Sequence, residues 1–180
     1  VLGHACSWAH NFVYEFHIPL FFFISGFMYS EKKYGDDPYL NVINRFKSSW
    51  IKYVIIYWII MLLHNSLIRW GFMPIGTEYF NLRTLAEACA FVLLGTANEL
   101  MGGTLWFVPA LCMASVFLGF LVTISRRIEK KTGSSYLKFA VQFVVILVCS
   151  IVGCIVISIL MPANIQVSLT VMPFLWIGYL

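Results

Sequence analysis

Residues 139–161 read FAVQFVVILVCSIVGCIVISILM and contain no charged side chain. A bilayer core takes about 20 apolar residues as an α-helix, so this stretch alone predicts a membrane-spanning helix. Of the 180 residues, 61% are hydrophobic and 11% are charged, against roughly half and a quarter in soluble domains. The mean hydropathy of +0.85 excludes a soluble globule, a disordered chain and a nucleic-acid-binding protein. A multi-pass membrane protein remains.

Other apolar stretches on both sides of this one define further predicted spans. Residues 1–7 end a first span, and residues 168–180 begin a last span that the sequence does not finish. The spans between them are predicted at 12–29, 50–68, 105–125 and 139–161. Residues 85–94 are apolar but short, which favours an interfacial or re-entrant helix. We therefore predict an all-α, polytopic transmembrane helical bundle with about six spans, of which the first and last are partial.

The Lys and Arg residues fall mainly in two of the connections between spans, at residues 30–52 and 126–138. These ten are Lys32, Lys33, Arg45, Lys47, Lys52, Arg126, Arg127, Lys130, Lys131 and Lys138. Only Arg69 and Arg83 lie between the third and fourth spans. The positive-inside rule then predicts that both basic connections are cytoplasmic loops, in a multi-pass protein of the plasma membrane. Membrane insertion explains the net charge of +4 without a nucleic-acid partner.

Two histidines lie at matched depth in the first two predicted spans. His4 precedes the intervening turn and His17 follows it, each by about six residues, so both lie roughly 9 Å from the same membrane surface. Ionisable side chains inside a span normally face a bundle interior or a wet cavity. Imidazole suits general base catalysis near neutral pH, which makes His4 and His17 candidate catalytic residues. A structural role, in which each ring bonds a backbone carbonyl or a neighbouring helix, stays open.

Small and basic residues near the inner ends of the spans are the next candidates. Ser25 and Gly26 either let two helices approach closely or leave room for a ligand against the backbone. Arg45 and Lys47 are suited to binding phosphate, although basic inner connections are also a general feature of membrane proteins. The five cysteines do not have the spacing of metal ligands and form no CxxC pair, and no metal is expected.

Three stretches, in this order, resemble the integral-membrane acyltransferase-3 family, in particular its fucose 4-O-acetylase-like and surface polysaccharide O-acetyltransferase members. They are VLGH at 1–4, FHIPLFFFISGF at 16–27 and LWFVPAL at 105–111. The middle stretch is long and specific, and the last one supports it independently. A complete family member has about ten spans of roughly 20 residues each. Residues 1–180 are therefore expected to be about half of one acyltransferase domain, truncated at both ends.

The resemblance implies acyl transfer, usually of an acetyl group from acetyl-CoA as co-substrate, to a hydroxyl of a carbohydrate or cell-envelope glycan. No permanently bound cofactor is implied. His4 matches the histidine that the family uses for catalysis. Ser25 and Trp106 lie within the two longer motifs and are candidate substrate-binding residues, together with Arg45 and Lys47.

The paired basic motif of the family, Arg-x-x-Arg, is matched only in part. Arg45 fits its first position, Ser48 occupies the second, and Lys52 stands where a Pro-Tyr step is common. Lys47 would supply a point charge but not the bidentate geometry of arginine. Arg45 and Lys47 are expected near the cytoplasmic face and His4 nearer the outer side. The acyl-pantetheine arm then reaches into the membrane, or the acyl group is relayed.

Two other functions are compatible with the same residues. Kinked spans and intramembrane histidines are also features of proton-coupled carriers, so the alternative is a multi-pass transporter or flippase of a small molecule or glycan precursor. A third interpretation is a membrane module that anchors a separate catalytic domain or acts as its sensor. In each case the lipid bilayer is a partner.

Overall fold

Apolar helices make up most of the chain in the computed structural model, which describes residues 18–96, 105–159 and 161–180. The chain also contains a π-helical turn at Phe46–Trp50 and a 3-10 turn at Pro162–Asn164. These described ranges contain no β-strand, so the predicted all-α fold is confirmed. The α-helices in chain order are α1 (Ile18–Phe27), α2 (Glu31–Tyr34), α3 (Pro38–Arg45), α4 (Ile51–Arg69), α5 (Leu82–Leu93), α6 (Phe107–Thr132), α7 (Ser135–Ile155), α8 (Ile165–Thr170) and α9 (Met172–Tyr179).

Three helical stretches in the described ranges are long and apolar enough to cross a membrane. They are Pro38–Arg69, which comprises α3, the π-helical turn and α4, and then α6 and α7. These stretches contain the predicted third span and most of the fourth and fifth, since α6 begins at Phe107 and α7 ends at Ile155. α1 is a shorter apolar helix, and the predicted first span and the beginning of the second lie at residues 1–17, outside the described residues.

The predicted last span, residues 168–180, is divided rather than continuous. α8 ends at Thr170 and α9 begins at Met172. Pro173 lies in the first turn of α9, where the missing N–H of a proline costs no intrahelical hydrogen bond. The break therefore follows from the proline, which ends one helix and is tolerated at the start of the next.

The basic connection at 30–52 is largely helical, which corrects the prediction of a loop. Asp37 caps α3 by accepting hydrogen bonds from the backbone N–H groups of Tyr39 and Leu40, at 3.0 and 3.2 Å. From this cap the helical backbone continues to Arg69. Lys and Arg are good helix formers, so charge by itself does not interrupt the helix.

The connection at 126–138 needs the same correction. α6 runs through its basic residues to Thr132 and ends at Gly133, whose φ of 68° lies in the left-handed region that favours glycine. The side chain of Ser134 then caps α7 by accepting a hydrogen bond from the backbone N–H of Leu137 at 3.3 Å. The true turn between these two helices is therefore only two residues long, Gly133 and Ser134.

α5 covers the segment predicted as an interfacial or re-entrant helix, residues 85–94. Its N-terminus carries a capping box in which Asn81 and Thr84 bond each other's backbone N–H groups. α5 packs along α4, and Trp58 Nε1 donates to the Cys89 carbonyl oxygen at 3.4 Å. Its position relative to a bilayer stays a prediction.

α6 is the central helix of the described residues and packs against α2, α3, α7, α8 and α9. One stripe along it is almost completely buried, at 0–1% exposure, and repeats every four residues. A four-residue repeat places side chains on one face of a helix. The stripe consists of Ala110, Ala114, Leu118 and Val122, and buried side chains of α1, α7 and α9 pack in one cluster with it.

α1 crosses α9 at backbone contact through two glycines. A Cβ atom at Gly26 would overlap the Leu175 carbonyl oxygen, and one at Gly178 would overlap the Phe23 carbonyl oxygen. Small residues permit such close approach between membrane helices. Of the two interpretations of the Ser25-Gly26 step, close helix packing therefore describes Gly26.

Candidate functional site

A cavity of about 720 Å³ lies between α1, α2, the α3–α4 helix and the N-terminal half of α6. Its two walls differ in character. α1, the turn after it and α6 contribute Phe21, Ile24, Ser25, Met28 and Leu111. α2 and the α3–α4 helix contribute Lys33, Tyr34, Asn44, Arg45, Lys47, Ser48 and Lys52. One wall is mainly apolar and the other is basic.

Four of the lining side chains are cations and, among the described lining residues, none is a carboxylate. Lys33 Nζ lies 5.2 Å from the centroid of the Tyr34 ring, within the range of a cation–π interaction. Within the described part of the chain, Arg45, Lys47 and Lys52 form no ion pair. The basic wall is therefore a concentration of positive charge that the described protein does not neutralise.

The second basic group, at the C-terminal end of α6 and the start of α7, is neutralised. Arg126 Nε lies 3.3 Å from Glu31 Oε1, and Lys138 Nζ lies 3.1 Å from the same oxygen. Lys130 Nζ donates to Asp36 Oδ1 at 2.8 Å. These pairs hold α2 and the turn after it against α6 and α7. The cations of the cavity and those of the 126–138 segment look alike in the sequence. In the folded chain they differ, because described carboxylates pair with Arg126, Lys130 and Lys138 but not with Arg45, Lys47 or Lys52.

The positively charged partners of these carboxylates lower their pKa values. For Glu31, partial burial acts to raise the pKa, but hydrogen bonds from Tyr179 and Lys138 and the nearby positive charges outweigh it, so the pKa is lowered. For Asp36, the hydrogen bond from Lys130 is the largest of the causes that lower the pKa. Both groups are therefore ionised at neutral pH and serve as fixed counter-ions.

Ser25 lies at the boundary between helix packing and the cavity. Its Oγ is 3.2 Å from Ser115 Oγ on α6, within hydrogen-bond distance. Ser25 also lines the cavity. Gly26, the next residue, faces α9 instead. The two adjacent small residues therefore have different surroundings, and only the serine borders the cavity.

α3 runs antiparallel to α6, and this direction sets where its basic residues lie. Near the start of α3, Asn41 Nδ2 donates to the Ser115 carbonyl oxygen at 2.9 Å. At the far end of the π-helical turn, Trp50 and Pro109 both border the backbone of Gly95. The segment from Asn41 to Trp50 therefore runs alongside α6, from its middle towards its N-terminus.

Arg45 consequently shares the cavity with Leu111, close to the start of α6. At 1.5 Å per residue, Leu111 is about 6 Å along the helix from Phe107 and about 22 Å from Arg126. Lys33 of α2 lines the same cavity as Arg45, and Glu31 of α2 pairs with Arg126, so the cavity extends between the two basic segments. That both segments lie at the cytoplasmic face stays a prediction.

Trp106 is the one remaining candidate within the described residues. Trp106 precedes α6, and its carbonyl oxygen accepts a hydrogen bond from Asn164 Nδ2 at 3.1 Å. Trp106 is not among the described residues that line the cavity. His4 and His17 lie outside the described residues. The fold thus brings Ser25, Arg45 and Lys47 together and does not add Trp106.

Sequence reasoning missed several cavity residues. Lys52 could have been found, since it is four residues after Ser48 and seven after Arg45, which is the spacing of one helical face. That spacing carries meaning only if the segment is helical, and a loop was predicted there. Lys33 gave no such signal, because its position depends on the turn that leads into α2.

A family model described as an acyltransferase domain matches residues 1–180. The chain belongs to the acyltransferase-3 family. No curated protein matches this acyltransferase-3 chain, and no solved structure matches it.

Acyl transfer by this acyltransferase-3 protein requires an acyl donor, an acceptor and a membrane environment. The basic wall of the cavity can bind an anionic group, and the apolar wall can contact an uncharged chain. In the described ranges no group of three or more His, Cys, Asp or Glu residues is arranged to hold a metal ion. The chemistry that the described residues offer is therefore recognition of an amphipathic anion.

Proposed function

We propose that this protein is a membrane-bound O-acetyltransferase of the plasma membrane, which transfers an acetyl group from acetyl-CoA to a hydroxyl of a carbohydrate or cell-envelope glycan. Family membership establishes acyl transfer. One observation supports the choice of donor, namely the cavity with four cations and no carboxylate among its described lining residues. Coenzyme A carries several phosphate groups, and hydrogen bonds between Arg or Lys and phosphate are among the stronger ones in proteins.

The cations differ in what they contribute to donor binding. Arg45 offers a planar guanidinium that can bind a phosphate through two parallel hydrogen bonds. Lys47 and Lys52 offer point charges, which hold a phosphate without fixing its orientation. Arg45 lines the cavity together with Leu111, which lies about 22 Å along α6 from Arg126, so a donor held there extends into the helical bundle. This arrangement supports the reading in which the acyl-pantetheine arm reaches towards the acceptor side.

The proposed reaction is a direct acyl transfer. The acceptor hydroxyl oxygen attacks the thioester carbonyl carbon, and a C–O bond forms as the C–S bond breaks. His4 takes the proton of the hydroxyl as general base and returns it to the departing thiolate, so the products are an O-acyl ester and free coenzyme A. His17 lies on the next predicted span, at the same predicted depth as His4, and would contact the same reacting groups.

The test is acetyl transfer by the full-length protein in membrane vesicles supplied with labelled acetyl-CoA and an envelope-glycan acceptor. Arg45→Ala is expected to raise the KM for acetyl-CoA by about 10- to 100-fold, because it removes a charged hydrogen bond worth about 1.5–3 kcal/mol. His4→Ala is expected to abolish transfer while the protein still accumulates in the membrane. Labelled product and donor-concentration curves measure both effects.

Arg127→Ala is the matched control, since Arg127 is an exposed arginine that does not line the cavity. Its KM for acetyl-CoA should equal that of the parent. Equal KM values for the Arg45 and Arg127 variants would contradict the donor site, and undiminished transfer by His4→Ala would contradict the catalytic role of His4. Accumulation of substrate in vesicles without acetyl-CoA would instead favour a transporter.

A further inference from the structure

The apolar wall of the cavity ends at a contact between two aromatic rings. Phe21, Ile24 and Met28 are spaced by three and four residues, so they lie on one face of α1 and the turn after it. Phe21 stacks on Phe107 of α6, with ring centroids 5.5 Å apart and an interplanar angle of 27°. This stacked pair bridges α1 and α6 at the Phe21 end of the apolar wall.

Leu111 completes the same corner of the cavity. It lies one helical turn after Phe107 on α6 and, like Phe21, lines the cavity. The space beside Ser25 is therefore bounded along α1 by Phe21, about 6 Å or one turn away. Phe107 backs the Phe21 ring, so this boundary is held by a contact between helices and not by one side chain alone.

We propose that Phe21 is a specificity-determining residue that limits the donor to short acyl groups. This rests on the proposed function, in which the basic wall holds the donor phosphates. With the phosphates on that wall, the uncharged acyl end is left to the apolar wall, and the Phe21–Leu111 corner receives it. The stacked Phe21 ring accommodates an acetyl group there and collides with the additional methylenes of longer chains.

The alternative, in which the corner is filled by packing alone, makes a different prediction. A ring that only stabilises the α1–α6 contact would change protein yield or thermal stability, but not the relative rates with donors of different length. A ring that limits the acyl group changes those relative rates. One extra methylene in a closed apolar pocket is worth about 10- to 200-fold in discrimination.

The experiment compares acetyl-CoA, butyryl-CoA and hexanoyl-CoA as donors for the full-length protein in vesicles. Phe21→Ala is expected to raise the ratio of butyryl to acetyl transfer by about 10-fold or more relative to the parent. Phe21→Leu keeps an apolar side chain of smaller size and is expected to give an intermediate ratio. It also keeps the proposal testable if the alanine variant does not accumulate.

Phe23→Ala is the matched control. Phe23 is a phenylalanine on α1 with 38% exposure, and it does not line the cavity. Its donor ratios should equal those of the parent. An active parent whose ratios are unchanged by both Phe21 substitutions would overturn this proposal alone. A parent that transfers no acyl group from any of the three donors would overturn the proposed function as well.

Discussion

At the scale of single residues, the important distinction is between paired and unpaired cations. Arg126, Lys130 and Lys138 have carboxylate partners at 2.8–3.3 Å, whereas Arg45 and Lys52 have no ion pair in the described part of the chain. A cation without a counter-ion retains its full attraction for an anionic ligand. Residue type alone therefore does not identify the binding residues, but residue type together with pairing does.

Lys52 is the residue that tests this distinction, because the fold and not the sequence assigned it to the cavity. Lys52→Glu places a carboxylate beside the proposed donor phosphates, and like charges repel. We expect the KM for acetyl-CoA to rise by about 10-fold or more, equivalent to at least about 1.4 kcal/mol. Donor-concentration curves in vesicles measure this change.

Lys131→Glu makes the same charge change at an exposed lysine that does not line the cavity and lies about 30 Å along α6 from Leu111. It should leave the KM for the donor close to the parent value, at physiological salt, because charges beyond a Debye length of about 8 Å are largely screened. Equal increases in both variants would show that only the net charge of the protein matters.

At the scale of helices, the crossing of α1 and α9 fixes the apolar wall of the cavity. α1 carries Phe21, Ile24 and Ser25 towards the cavity, while Gly26 faces the Leu175 carbonyl of α9. One face of this short helix therefore packs against α9, and the other lines the cavity. Any change in the crossing distance moves the cavity residues with it.

Gly26→Val is therefore expected to be strongly destabilising. Overfilling a packed site typically costs about 1–3 kcal/mol, and here the obstacle is a backbone carbonyl that a rotamer change cannot move. Phe27→Val alters the next residue, which is 76% exposed, and should have little effect. Thermal unfolding and monodisperse yield in detergent distinguish the two. Similar unfolding temperatures for both variants would be inconsistent with close α1–α9 packing.

At the scale of the whole molecule, one ionic network joins four helices at the end opposite to Trp50. Glu31 of α2 accepts a hydrogen bond from Tyr179 of α9 at 2.7 Å and forms ion pairs with Arg126 of α6 and Lys138 of α7. α2 lies far in the sequence from the other three helices, whereas α6 and α7 are separated by two residues and are also joined by the ion pair between Lys138 and Glu129, at 3.3 Å. The network therefore sets their mutual positions at this end of the bundle.

The pKa of Glu31 predicts how this network responds to acid. Its pKa in the folded protein is lowered from the ordinary value of 4.5. The ionised carboxylate therefore contributes stability that is fully present above the unfolded-state pKa and is lost as pH falls through the lower folded-state pKa. We expect Glu31→Gln to lower the unfolding temperature at pH 7, and the difference from the parent to shrink below about pH 4.5.

Glu87→Gln provides the comparison for this titration. Glu87 pairs with Arg83 at 2.9 Å, but both side chains are exposed, at 54% and 87%. Exposed pairs contribute little, about 0–1 kcal/mol, so this variant should unfold at nearly the parent temperature. A Glu31→Gln variant whose unfolding temperature matches the parent across the whole pH range would refute the network as a stabilising element.

Much of the fold could be predicted because hydrophobicity acts locally. The apolar runs at 50–68, 105–125 and 139–161 each became part of a long helix, and the all-α class followed from them. The short apolar run at 85–94 also became a helix, within Leu82–Leu93. Helix ends were predicted poorly, because caps such as Gly133 and not the last apolar residue decide where a helix stops.

The candidate site was predictable only as a set of residue types. The sequence by itself determined a membrane bundle of the acyltransferase-3 family, since apolar length and local motifs are properties of adjacent residues. Tertiary structure alone decided that Ser25 meets Ser115 and that Glu31 neutralises Lys138, while Arg45 has no ion pair with any described residue. Those contacts join residues about a hundred positions apart, and helix packing, not any local pattern, brings them within hydrogen-bond distance.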